Sequence, residues 1–181
     1  MVFNFLTSHI QPKDMKELII SPNSSFEWLI KKIENEIDFA KKNLPSGIWI
    51  KCNAIVDSKL IEKLYEASNA GVKINLFVRG ICCLKPNVKG LSENIIVKSI
   101  IGRFLEHGRI YVFANGGEFQ SIKNDVYISS ADMMPRNLYT RVEAYVPLKN
   151  ETVRSQILTQ VIPALINLSL IHISEPTRRV F

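Results

Sequence analysis

Apolar residues in the first third of the chain recur at helical spacing. Phe26, Leu29, Ile30, Ile33, Ile37 and Ala40 form one stripe, with Lys31, Lys32, Glu34, Lys41 and Lys42 lying off it. This pattern predicts an amphipathic helix with one face on a core and the other solvated. Pro22-Asn23-Ser24 marks its start and Leu44-Pro45-Ser46-Gly47 its end. Glu17 to Ser21, just before it, is a short strand candidate. Ile48 to Cys52 then reads as a strand. Leu60, Ile61, Leu64, Tyr65 and Ser68 make a second helical stripe, with Asp57 placed to cap it and Gly71 placed to close it in a left-handed conformation. In Lys73 to Val78 the residues Ile74, Leu76 and Val78 alternate inward. Strand, helix and strand in this order predict a βαβ unit with parallel strands.

The second half has shorter periods. Lys85 to Gly90 reads as a long loop. Strands are predicted over Ile95–Ile100, Arg109–Phe113, Val126–Ser129 and Val142–Val146, with a turn at Asn115-Gly116-Gly117 and a stop at Pro147. Val153, Ile157 and Val161 predict a final helix over Glu151 to Val161. The apolar run from Ile157 to Ile173 is broken by Gln160, Pro163 and Asn167, which excludes a membrane span there. Met1 to Lys16 has no clear period, and His9 reads as an exposed loop residue. No internal repeat is visible. The expected fold is α/β, a mixed sheet flanked by helices.

A chain of 181 residues bounds this to one domain that can bury a real core. With 46% hydrophobic and 22% charged residues, its composition is that of a globular protein. The net charge of +6 suits either a polyanionic partner or a merely basic solvated surface, and charge alone does not choose. The three cysteines, Cys52, Cys82 and Cys83, are an odd set without zinc-site spacing. They read as buried, reduced thiols, and with no signal-peptide layout at the N-terminus the expected compartment is the cytoplasm.

Chemistry concentrates between Ile101 and Glu143. His107-Gly108-Arg109 enters an apolar run, and a second run ends in Ser129-Ser130-Ala131-Asp132, followed by Arg136 and Arg141. Arginine forks match phosphate oxygens, and α/β folds place ligands at strand ends. The order Glu106-His107-Gly108-Arg109-Ile110, with Val78-Arg79-Gly80-Ile81-Cys82-Cys83-Leu84, Gly90-Leu91-Ser92-Glu93-Asn94 and Lys51-Cys52-Asn53, resembles the C-terminal part of the polyphosphate kinase family. The resemblance runs from about Leu18 to Pro163. It implies a phospholipase D-like domain over 17–167, with 1–16 a connector from an upstream region.

The resemblance also implies reversible transfer of the ATP γ-phosphate to inorganic polyphosphate. The phosphohistidine and the Mg²⁺ ligands would lie in upstream domains, metal would arrive with ATP, and the full-length enzyme would be a homo-oligomer. Arg79 matches the family's ATP-binding arginine, with Gly80 allowing close backbone approach. His107 matches a histidine of the nucleotide-phosphate site, so it would bind ATP phosphate or act as an acid/base partner. Arg109 keeps a cation where phospholipase D enzymes carry lysine. Arg136 and Arg141 are either phosphate ligands or ion-pair partners of Glu143 or Asp132, and Arg103 is similar. Ser129 and Met133 replace the family's glycine and tryptophan, and Asp132 reads as a structural acceptor.

Two other classes remain. One is a phospholipase D-like phosphodiesterase or nuclease, against which Ala114 stands where an aspartate belongs. The other is a non-catalytic polyanion-binding module. Leu168 to Arg179 resembles a translated sequencing adaptor, which makes 168–181 an expected non-native tail. Without Glu175, Arg178 and Arg179 the charge falls only from +6 to +5. Docking surface for missing neighbours is expected around Phe3 to Leu6 and near Leu165.

Overall fold

A computed structural model describes residues 18–100 and 105–167; His9, Arg103, Phe3 to Leu6 and the 168–181 segment lie outside them. The chain forms strand β1 (Ile19–Ser21), helix α1 (Ser25–Lys41), β2 (Gly47–Cys52), α2 (Ser58–Asn69), β3 (Lys73–Val78), β4 (Ile95–Lys98), β5 (Arg109–Phe113), β6 (Asp125–Ser129), α3 (Pro135–Tyr139) and β7 (Glu143–Pro147). It closes with α4 (Glu151–Gln156), a π-helical turn (Ile157–Val161) and α5 (Ile162–Asn167). The seven strands make one sheet in the order β1-β7-β6-β5-β2-β3-β4. The predicted βαβ unit is present: β2 and β3 are parallel in register, Ile48 beside Ile74, and β4 extends the parallel set. β5 inserts antiparallel between β2 and β6, and β7 and β1 continue antiparallel. The fold is therefore the expected mixed α/β sheet.

Alternation sends each strand's side chains to two faces. On one face Ile48, Ile50, Cys52, Ile74, Leu76, Tyr111 and Phe113 meet Leu29, Ile33 and Ile37 of α1 and Leu60 and Leu64 of α2. Trp28 adds edge contacts to Phe113 and Tyr127. Asp57 caps α2 by accepting from the Leu60 amide at 3.0 Å, as its position suggested. Gly71 sits at φ +96°, where a side chain would be strained. On the other face Trp49, Phe77, Ile110, Val112 and Val126 are covered by Leu158, Ile162 and Leu165.

Four expectations are corrected here. The final helix does not stop at Val161, and its buried stripe is Leu158, Ile162 and Leu165 rather than Val153, Ile157 and Val161. The widened π turn rotates the face and ends two residues before Pro163, whose ring lacks the N–H an α-helix needs there. Leu165 is accordingly core rather than docking surface. Lys32 is not simply solvated: its ammonium pairs with Asp125 at 2.6 Å and lies 5.5 Å from the Tyr127 ring centre. Cys52 and Cys82 are buried as expected, whereas Cys83 is exposed.

Candidate functional site

The strand directions bring one edge of the sheet together. The carboxyl ends of β2, β3 and β6 and the amino end of β5 all lie there, and each supplies a polar residue. Asn53 follows β2, Arg79 follows β3, Arg109 opens β5 in register with Ser129, and Asp132 follows β6.

Asp132 is the hub. The Arg109 guanidinium donates to it as a fork, Nε to Oδ1 at 3.1 Å and Nη2 to Oδ2 at 2.9 Å. The Asn53 backbone amide donates to Oδ1 at 2.7 Å and its side-chain amide at 3.2 Å. The Asn53 carbonyl oxygen Oδ1 in turn accepts from Arg79 Nε at 3.0 Å. On the far side, Arg109 Nη1 and Nη2 lie 3.2 and 3.3 Å from the two ring nitrogens of His107, and Nη1 donates to the His107 carbonyl at 3.1 Å. One chain of contacts thus runs Arg79–Asn53–Asp132–Arg109–His107. Arg79 and Arg109 are half-buried and His107 is exposed, so the cations are fixed from below and open to solvent above.

The electrostatics follow from this wiring. Burial alone would raise the Asp132 carboxyl, but the Arg109 and Asn53 donors more than offset it and hold the group below its ordinary value. The hydrogen bond to Asp132 pushes the Arg109 guanidinium further up, so it stays charged. Asp132 is therefore an acceptor for arginine, as its position suggested.

Other expected contributors lie elsewhere. Arg136, on α3, and Arg141, just after it, are exposed and pair with no carboxylate among the described residues. Glu143, their expected partner, accepts instead from Asn137 Nδ2 at 2.6 Å and from the Ser130 hydroxyl. Ser129 turns inward: its hydroxyl donates to the Ala144 carbonyl and accepts from the Ala131 amide. Met133 is fully buried. Gly80 is required by packing, since a Cβ there would sit 2.9 Å from the Asn53 carbonyl oxygen, to which the Gly80 amide donates. Asn53 itself had no role read from sequence; its signal was its place one residue past a strand end.

No group of three His, Cys, Asp or Glu side chains among the described residues is placed to hold a metal ion. Asp132 is the one carboxylate of the network, and both its oxygens are engaged. The donor set is cationic and suits phosphate oxygens, not a hard cation.

The mixed sheet with helices on both faces has the phospholipase D-like fold. A phospholipase D family member from Salmonella typhimurium superposes with TM-score 0.55 at 12% identity, covering 83% of this chain and 90% of that one. The family is narrower. Residues 18–167 match the model of the polyphosphate kinase C-terminal domain 2, and the chain belongs to that family. It is 52% identical over 163 residues to a polyphosphate kinase of Erythrobacter litoralis, covering 90% of this chain and 23% of that protein. It is 43% identical over 157 residues to that of Escherichia coli K12, covering 87% of this chain and 22% of that protein. A polyphosphate kinase structure from Porphyromonas gingivalis superposes with TM-score 0.82 at 38% identity, covering 91% of this chain and 24% of that one. The chain thus spans about a quarter of the relatives it matches. Among the described residues no helix is long and apolar enough to cross a membrane.

Proposed function

We propose that this chain supplies the nucleotide-phosphate wall of a cytoplasmic polyphosphate kinase. That enzyme would move the ATP γ-phosphate reversibly onto inorganic polyphosphate through a phosphohistidine carried by another domain. The observation that carries the reading is the buried Asp132–Asn53 hub, which fixes Arg79 and Arg109 beside an exposed His107. Phosphoryl transfer is mostly positioning and charge stabilisation, and two oriented guanidinium groups supply both. Arg79 and Arg109 bind phosphate oxygens, and His107 contacts the transferred group as ligand or proton partner. Arg136 and Arg141, exposed and without a carboxylate partner among the described residues, extend the cationic surface toward the polyanion. Mg²⁺ enters as part of the nucleotide. The upstream domains and a second copy of the full-length protein complete the site.

Ala114, in the place of the phosphodiesterase aspartate, is buried in the second core, so nothing here favours hydrolysis of a phosphodiester. Calorimetry of MgATP and ADP binding to the chain, beside Arg79→Ala and His107→Ala, tests the proposal. Weakened binding in both variants is expected, on the order of tenfold each for loss of a charge-assisted contact. Binding unchanged by both would overturn the assignment, and polyphosphate synthesis by the chain alone would overturn the need for another domain.

A further inference from the structure

Lys51 is the only buried lysine among the described residues. It sits on β2 between Ile50 and Cys52, which face the first core, so its side chain goes to the opposite face beside Trp49 and in register with Ile110. An aliphatic residue would satisfy that face at no electrostatic cost. Instead the ammonium sits 3.2 Å from the Glu106 carboxylate and donates to the Gly108 carbonyl at 3.1 Å. Those partners flank His107 on either side. The imidazole itself touches only Arg109 in the network, and Arg109 also holds the His107 carbonyl, while Lys51 holds the residues on either side of it.

The geometry points to Lys51 as a positioning residue that straps residues 106–108 to the sheet edge and thereby sets where His107 meets a phosphoryl group. It acts through His107 and rests on the reading of His107 as phosphate-facing. A buried ammonium is retained only with good partners, and here both partners belong to the segment that carries the functional side chain. The strap also explains an exposed histidine that holds a defined place next to Arg109.

The test uses Lys51→Met, which keeps the length of the side chain without its charge, on the 181-residue chain. Backbone relaxation by NMR and the imidazole signals, assigned with His107→Ala, report the order of 105–108. Affinity for inorganic tripolyphosphate reports function. The expected result is a folded variant in which 105–108 loses order and tripolyphosphate affinity falls by about tenfold, the scale of a small misplacement. Lys51→Arg should restore most of both. In a His107→Ala background Lys51→Met should add nothing further. Retained order and affinity in Lys51→Met, or a loss that simply adds to that of His107→Ala, would overturn the proposal. If Lys51→Met fails to fold, Glu106→Gln carries the same readouts, because Glu106 is exposed and no core packing depends on it. If the wild-type chain binds no tripolyphosphate, the phosphate-site reading fails, while the order of 105–108 still decides the strap.

Discussion

Asp132→Asn isolates the hub. Asparagine keeps the shape and can still accept from the Asn53 amide, but it cannot hold the Arg109 fork with charge. The pair is well shielded, with side-chain exposures of 12% for Arg109 and 8% for Asp132, so the screening that weakens surface pairs applies little. Removing one member of a buried pair costs about 3–5 kcal/mol, because the other charge is left uncompensated. The lower end applies here, since the Arg109 tip reaches the solvent-exposed His107. A loss of about 3 kcal/mol in a domain of this size lowers the melting temperature by roughly 6–12 °C. In urea, with a slope of about 2 kcal/mol/M, it moves the midpoint by about 1.5 M.

The loss has a pH signature. The native carboxyl titrates below its unfolded value of about 3.9. Its contribution is therefore present above that value and disappears as pH falls through the lower native value. The difference between wild type and variant should be full at pH 7 and shrink below about pH 4. Urea unfolding at pH 7, 5 and 3 measures it. A difference under about 1 kcal/mol at pH 7, or one that stays constant down to pH 3, would refute the claim that an ionised, paired Asp132 holds the site together.

Two further outcomes are expected. Glu36, nearly fully buried, accepts from the Gly47 amide at 2.9 Å with one oxygen and from the Asn115 amide at 2.7 Å with the other. Glu36→Gln turns an NH₂ toward one of these donors and should cost about 1–3 kcal/mol in urea unfolding; a neutral result would show that neither bond matters. Burial raises the Glu36 carboxyl, so its pH contribution has the opposite sign to that of Asp132, present at low pH and lost as pH rises through the native value. In thiol labelling at pH 8, Cys83 should react fast, and Cys52 and Cys82 only on unfolding. Burial pushes the Cys82 thiol up to about 11 and Cys52 well above its ordinary value. Three fast thiols would contradict the packing of the first core.

Local patterns made the βαβ unit legible. The stripes from Leu29 to Ile37 and from Leu60 to Leu64, the Asp57 cap and Gly71 are short-range signals, and each reappears in the fold. The insertion of β5 between β2 and β6 was not legible, because pairings such as Ile48 with Phe113 are set by packing across the whole chain. The five-residue α3 is too short to show a period, and the π turn before Pro163 displaced the stripe of the last helix. In the site, His107, Arg79 and Arg109 stood out through the motif they share with a family. The side chains that hold them sat in a family-like triplet, Lys51-Cys52-Asn53, with no role attached. Asn53 and Lys51 are ordinary polar residues in sequence, and only strand register reveals what they reach. Lys51 did leave a trace, as a lone cation inside the apolar run of β2.

The opposed direction of β5 also governs how the chain can change length. A single residue added within Arg109–Phe113 would flip the following side chains to the other face, sending Tyr111 or Phe113 into the wrong layer. The turn between β5 and β6 lies at the opposite edge, remote from the hub, and carries Asn115 and Gly116 in left-handed conformations. Insertions and deletions should therefore accumulate around residues 120–123 among functional descendants of this sequence, and be purged between Glu106 and Phe113.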